Sequence, residues 1–214
     1  MGIKIHEYGT ERTALGADDY VDIDYWDGVA YQTAKIKGSA IRQTIKPQLF
    51  AQTEDGPTIS GTTAESSILG GGEGSLTVPA DGFAVGDSFH VNINGLLTSA
   101  NNEDITIRIK SGSVVLTTSG TITLPQCTNQ KFEIELDFTI RAIGGAGVAE
   151  IASAGVFNFN KDSSNDWQGQ GFTTIENTNF DTTSSNTLDV TIQWGSTSVS
   201  NQITSYLCVL NKTY

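Results

Sequence analysis

The feature that most constrains this chain is a strict two-residue alternation of apolar and polar side chains. Its apolar members are Phe132, Ile134, Leu136, Phe138 and Ile140, and the polar residues between them are Glu133, Glu135, Asp137 and Thr139. Successive side chains of a strand point to opposite faces, so this pattern buries one face and exposes the other. The run therefore predicts a long amphipathic β-strand.

The same alternation recurs along the whole C-terminal part of the chain. Further strands are predicted at 76–78, 89–93, 105–109, 114–116, 122–124, 156–159, 172–175, 188–194 and 203–210. Clusters of Gly, Ser, Asn and Asp separate them, which is typical of an antiparallel β-sandwich. About eight to ten strands is the size of a jelly roll. We therefore predict a jelly-roll head domain over residues 75–214.

The last predicted strand differs from the others because it is apolar on both faces. Leu207 and Val209 oppose Tyr206, Cys208 and Leu210. Such a strand is expected in the centre of a sheet or beneath another subunit.

The first 47 residues have a different pattern, and we treat residues 1–47 as a separate segment. Residues 20–25 alternate like a strand, and the Asp27–Gly28 pair is a strong hairpin signal. A short helix is predicted between Ser39, a good N-cap, and Pro47, which would end it. So small a piece buries too little surface to be stable alone, which favours stabilisation by a partner.

Residues 48–74 show no sustained periodicity and are rich in glycine. The stretch Leu69 to Ser75, LGGGEGS, contains four glycines, whose backbone freedom is typical of a hinge. We therefore predict a linker or extended arm over 48–74, with a hinge at its end.

Composition excludes several kinds of partner. The net charge is −12, so neither a nucleic acid nor an anionic bilayer would attract the chain. There is no apolar run of about 18 residues to span a membrane and no secretory signal at the N-terminus, which predicts synthesis in a cytoplasm. Cys127 and Cys208 lie in dissimilar contexts and are expected to be free thiols.

One tryptophan stands out because it falls in a polar loop between predicted strands. Trp167 is flanked by Asn165, Asp166 and Gln168, so its ring could stack on a sugar while the neighbouring groups hydrogen-bond the hydroxyls. The alternative is a tryptophan that packs on its own sandwich or on the next subunit. Trp194, in contrast, continues an apolar strand face and is expected in the core.

Other candidate chemistries have simpler explanations. Glu133, Glu135 and Asp137 share one strand face at a separation compatible with glycosidases, but alternation alone explains the spacing. His6 and His90 are isolated in the sequence and are interpreted as surface histidines. The acidic runs at 18–27 and 162–166 lack the glycine and glutamate of a calcium loop. We predict no metal, no cofactor and no catalytic residue.

Two parts of the chain resemble proteins of tailed bacteriophages. The N-terminal run LGADDYVDIDYWDGVAYQTAKIKGSAI resembles attachment segments of tail-fibre, head-fibre and neck-associated proteins. The runs GSLTVPADGFAVGDSFHVNINGLLTSANNEDITIRIKSG and NTLDVTIQWGSTSVSNQITSYLCVLNK resemble jelly-roll heads of phage fibres, which are related to tumour-necrosis-factor-like trimers. The resemblance implies a homotrimeric head on the virion surface, docked to capsid, neck or tail proteins through the N-terminus. Four aromatic residues of that segment are candidates for docking: Tyr20, Tyr25, Trp26 and Tyr31.

Three functional hypotheses follow. The leading one is a non-enzymatic structural protein of a phage virion, a short fibre or capsid decoration displaying a head for host-surface adhesion. The alternative is a carbohydrate-binding module that contacts host glycans through the Trp167 loop. The third is a glycan hydrolase, which would depend on Glu135.

Overall fold

The computed structural model describes residues 20–26, 30–37, 48–162, 166–176 and 179–214. The chain divides into two compact units, Met1–Lys46 and Pro47–Tyr214. The regular elements in the described residues are all β-strands, and none of these residues forms a helix long and apolar enough to cross a membrane. The strands are β1 (Tyr20–Trp26), β2 (Tyr31–Lys37), β3 (Gln48–Gln52), β4 (Ile59–Ser60), β5 (Ser66–Ser67), β6 (Gly72–Gly74), β7 (Thr77–Val78), β8 (Ser88–Ser99), β9 (Glu103–Ser111), β10 (Val114–Leu124), β11 (Cys127–Ala142), β12 (Glu150–Asn160), β13 (Trp167–Glu176), β14 (Asn186–Trp194) and β15 (Gln202–Lys212).

The first unit contains an antiparallel pair of strands. β1 pairs with β2, with Trp26 opposite Tyr31 nearest the turn and Tyr20 opposite Lys37 at the far end. This antiparallel pairing is the one that the hairpin signal at Asp27–Gly28 predicts. The predicted turn and the predicted helix lie outside the described residues, and so do the side chains of the four docking candidates.

The second unit is an antiparallel β-sandwich, which confirms the all-β sandwich that the alternation predicts. Its eight-stranded sheet has the order β13-β12-β11-β8-β15-β3-β6, with β4 also paired to β15. Its five-stranded sheet has the order β10-β9-β14-β5, with β7 also paired to β14. The inward faces of both sheets supply one continuous apolar core.

Strand β11 shows how the alternation builds this core. Every apolar residue of the 132–140 run is buried, with Ile134 at 0% exposure, and the intervening residues face outward. Phe132 packs near Phe157 with ring centroids 6.2 Å apart, and Phe138 stacks on Phe89 at 5.0 Å. These contacts join β11 to its two neighbours, β8 and β12.

Strand β15 lies inside the eight-stranded sheet, between β8 on one side and β3 and β4 on the other. The expectation of a central strand is therefore confirmed. Cys208 is buried there as a free thiol, and burial raises its pKa to about 12. A register shift between Ser205 and Leu207 turns Tyr206 and Leu207 outward, where they are 48% and 43% exposed.

The segment 48–78, which we call the strap, corrects the prediction of a linker over 48–74. It contributes β3, β4 and β6 to the eight-stranded sheet and β5 and β7 to the five-stranded sheet. The strap therefore runs along the open edges of β15 and β14 and pairs with both. Covering exposed edges in this way prevents them from pairing with other chains.

The glycine-rich stretch of the strap is packed, so the predicted hinge is also wrong. A Cβ on Gly72 would overlap the Ala51 carbonyl oxygen and lie 2.7 Å from the Phe50 ring. Gly74 has a φ of +98° and lies against the Leu49 carbonyl. The glycines allow two backbones to approach closely and allow a left-handed turn, and these requirements explain the composition.

Candidate functional site

The candidate glycan residues lie at one edge of the eight-stranded sheet. Trp167 is the first residue of β13, a strand rather than a loop position, and its side chain is 49% exposed. Asp166 and Gln168 are also exposed. Asn165 lies outside the described residues.

Strand pairing places Trp167 beside Asn160. The two residues are opposite each other in the β12–β13 ladder. Phe157 and Phe159 of β12 and Phe172 of β13 are buried, so the alternate residues Asn160 and Trp167 lie on the outer face. An exposed indole and a side-chain amide therefore share one end of this face.

Asn160 has an unusual environment for an amide on an outer face. Its side chain is only 6% exposed, and no group among the described residues hydrogen-bonds to its Oδ1 atom. A buried acceptor without a partner costs about 1–3 kcal/mol. The protein encloses this oxygen, so the exposed group at this end of the face is the Trp167 indole.

The strip of sheet next to Trp167 has few side chains. Gly169 and Gly171 follow on the same face of β13, opposite Asn158 and Val156 of β12. The Asn158 amide lies over Gly169. The next strand presents Glu133, which accepts a hydrogen bond of 3.0 Å from Asn92 Nδ2. We call this group, from Trp167 and Asn160 to Glu133, the Trp167 surface.

His90 is partly exposed on the outer face of β8 and has a partner on the neighbouring strand. It lies opposite Asp137 on β11, and its Nδ1 atom is 2.9 Å from Asp137 Oδ1. Ser88 shares this face, but its hydroxyl donates to the Gly86 carbonyl and pairs with Thr139. The histidine and aspartate therefore form a cross-strand pair whose nearest hydroxyl is engaged elsewhere.

No group of three or more His, Cys, Asp or Glu side chains suited to a metal ion occurs among the residues that the structure describes. Of the acidic run 162–166, only Asp162 and Asp166 fall in the described part. The acidic side chains between residues 18 and 27 lie outside it.

A second polar site, which the sequence did not indicate, lies on the outer face of the five-stranded sheet. It is a crevice of about 250 Å³ that we call the threonine pocket. Its lining consists of Thr63, Asp104, Thr106, Thr121, Gln193, Trp194 and Gly195. These residues come from the strap, three strands and a turn, so only long-range strand pairing brings them together. The single sequence signal is the outward position of Thr106 in the alternating run of β9.

No protein-family model, curated protein or solved structure matches this chain.

Proposed function

We propose that this chain is a non-enzymatic structural protein of a bacteriophage virion, a short trimeric fibre or decoration protein that displays its sandwich as a head. The observation that carries the proposal is the division at residue 46 into a small N-terminal unit and a sandwich with its own core. In this proposal the first unit docks onto capsid, neck or tail proteins. The sandwich is of the jelly-roll, tumour-necrosis-factor-like class, in keeping with the phage resemblance of both segments.

The test of this role is the location and copy number of the protein in intact virions. Quantitative mass spectrometry of purified particles should find it in a multiple of three per attachment site, and immunogold labelling should find the sandwich outside the particle. A variant lacking residues 1–46 should be lost from particles while the sandwich still folds. Retention of that variant on virions would contradict docking through the N-terminal unit.

Trimer formation is supported by apolar side chains that the sandwich leaves in solvent. Tyr206 and Leu207 lie next to each other on the outer face of β15 and are both about half exposed. A neighbouring copy that covered them would bury apolar surface at about 25 cal/mol per Å². Light scattering of the full chain should give three times the 22.8 kDa chain mass, and a strict monomer at micromolar concentration would contradict the trimer.

A second candidate function, binding of host-surface glycans, is favoured by the Trp167 surface. The half-exposed indole offers a face for stacking, and the exposed Asp166 and Gln168 beside it offer polar groups for sugar hydroxyls. Glycan arrays should show binding by the wild type that falls about tenfold or more in Trp167→Ala, since tenfold corresponds to 1.4 kcal/mol. Tyr214→Ala removes an exposed aromatic elsewhere and is the matched control. Equal glycan binding by all three proteins would contradict a glycan-binding role for the Trp167 surface.

The hydrolase hypothesis makes a separate prediction. Turnover of a glycan by the purified protein should disappear in Glu135→Gln if this carboxylate is catalytic. We propose the non-enzymatic role instead, because the outward row of β11 already follows from the strand alternation.

A further inference from the structure

The threonine pocket is built around one residue of β9. Thr106 lies between Thr121 of β10 and Gln193 of β14, which are its partners in the two neighbouring ladders. The strap closes one side, where Gln193 Nε2 donates a 3.0 Å hydrogen bond to the Thr63 carbonyl. The pocket therefore has a sheet as its floor and the strap as one wall.

A β-bulge shapes the opposite wall. The β9–β10 register shifts between Thr118 and Thr121, and Gly120 has a φ of +64°. Within the bulge the Ile107 backbone N–H donates to the Ser119 hydroxyl at 3.0 Å instead of to a strand carbonyl. Bulges of this kind redirect side chains and are common beside functional sites. Here the bulge precedes Thr121, which rejoins the ladder at the pocket.

The lining leaves several hydrogen-bonding groups free for a ligand. Within the described residues, the Thr106 and Thr121 hydroxyls have no hydrogen-bond partner. Asp104 uses Oδ1 to accept a 2.7 Å hydrogen bond from Thr123, which leaves Oδ2. Hydroxyls both donate and accept, whereas a carboxylate only accepts. The pocket therefore offers a mixed set of donors and acceptors.

The size and charge of the pocket limit the ligand. The volume of about 250 Å³ is below the roughly 300–1,000 Å³ of pockets for drug-sized ligands. None of its seven lining residues is cationic, and Asp104 contributes a negative charge. These properties suit one neutral polyhydroxylated ring and disfavour an acidic one.

We propose that the threonine pocket binds a single neutral sugar residue, with Thr106 and Thr121 contacting its hydroxyls and Asp104 accepting from one of them. This site lies on the opposite sheet from the Trp167 surface and does not depend on it. It is a second saccharide site of the same head, and its occupancy is expected whether or not Trp167 binds a glycan.

The test is a titration of the isotope-labelled full chain with glucose, galactose, mannose and glucuronate, followed by amide NMR. A neutral hexose should shift the amides of Thr106, Thr121 and Gly195 with a Kd on the order of millimolar, as expected for one ring. The same shifts should occur in Trp167→Ala, which separates this site from the Trp167 surface. The absence of shifts at these three amides with every neutral sugar would overturn the proposal.

Variants identify the groups that bind. The double variant Thr106→Val, Thr121→Val removes two hydroxyls from outward strand positions and should weaken binding at least tenfold. Thr128→Val, an exposed strand threonine on the other sheet, is the matched control and should bind as the wild type does. Retained binding by the double variant would overturn the assignment of these hydroxyls.

The charge of Asp104 supplies an independent readout. Glucuronate should bind the wild type several-fold more weakly than glucose does, because its carboxylate meets that of Asp104. Asp104→Asn keeps an acceptor for Thr123 and should remove this discrimination. Equal binding of glucose and glucuronate by the wild type would overturn the assignment of a neutral sugar.

Discussion

Two regions of the sandwich are stabilised by different kinds of contact. The eight long strands β8–β15 bury alternating apolar side chains between two sheets. The strap, residues 48–78, has strands of two to five residues. It places Phe50, Ile59 and Ile68 in the core, and elsewhere it is held by close backbone approach and by side chain to backbone hydrogen bonds. A glycine-rich stretch can therefore be a packed edge of a sheet. This happens where the neighbouring backbone lies so close that a Cβ would not fit.

The strap also connects the two sheets through polar contacts. Ser205 of β15 donates its hydroxyl to the Ile68 carbonyl, and its own carbonyl accepts from Gly56 N–H at 2.8 Å. Trp194 of β14 donates from Nε1 to the Ile59 carbonyl at 3.1 Å. Each sheet thus supplies a buried donor for a strap carbonyl, which leaves fewer of the strap's backbone groups unpaired.

The largest effect is expected in the long strands. Ile134→Ala should lower the free energy of unfolding by about 2–5 kcal/mol, because it removes a fully buried side chain and leaves a cavity. Urea denaturation measures this change. Ile143→Ala makes the same substitution at a residue that is 49% exposed and should change stability little. Equal losses in both variants would contradict the burial assigned to β11.

The next effect tests whether the strap is packed. Gly72→Ala should cost about 1–3 kcal/mol, the usual range for overpacking, because its Cβ would overlap the Ala51 carbonyl and the Phe50 ring. Gly145→Ala is the control, since no atom lies within 4 Å of its Cβ position. The measurement is the denaturation midpoint. A flexible linker would tolerate both substitutions equally. That result would support the predicted hinge and contradict a packed strap.

A smaller effect is expected from the hydrogen bonds of the strap. Ser205→Ala leaves the Ile68 carbonyl without this donor and should cost about 1–2 kcal/mol, the lower part of the range for an unpaired buried acceptor. Hydrogen exchange should become faster at the Gly56 amide, which reports on the strap. Ser200→Ala, at an exposed serine, should leave both quantities unchanged. Unaltered exchange at Gly56 in Ser205→Ala would show that the hydroxyl does not hold the strap.

The sequence predicts the long strands well because their burial is periodic. The run 132–140 needs only its two-residue period to identify the buried face. The two strands predicted at 114–116 and 122–124 are one strand, β10, since Gly120 forms a bulge rather than a turn. The error has a physical reason, because glycine with positive φ serves both structures.

Other features depend on pairings that are distant in sequence. A strand of two residues, such as β5, is too short to show an alternation of apolar and polar side chains. The sequence therefore predicts a linker or extended arm where the strap lies. The sequence singles out Trp167, but its place at the start of a strand and its neighbour Asn160 depend on the pairing of β12 with β13. The threonine pocket combines residues from 63 to 195, and no local pattern joins them. These features depend on which residues of distant strands pair with each other, and residue types in a single stretch do not determine that pairing.

The smallest effect concerns the charge that holds β5 on the five-stranded sheet. Glu65 accepts a 2.8 Å hydrogen bond from Lys110 Nζ and another of 2.8 Å from Thr191 Oγ1, with Arg108 Nη1 3.4 Å away. The Lys110 hydrogen bond, followed by that from Thr191, lowers the pKa of Glu65 below its ordinary value of 4.5. Because solvent screens this partly exposed pair, Glu65→Gln should cost only about 0.2–1 kcal/mol at pH 7.

The pH dependence of that cost follows from the direction of the shift. A carboxyl whose pKa is lower in the folded state stabilises the fold above its unfolded pKa, and this contribution is lost as pH falls through the folded pKa. The difference in unfolding free energy between wild type and Glu65→Gln should therefore be constant above about pH 5 and vanish well below 4.5. Glu73→Gln makes the same substitution at an exposed residue of the strap and should differ little in stability from the wild type at pH 7. A difference that is undiminished at pH 3 would mean that Glu65 holds β5 by packing rather than by charge.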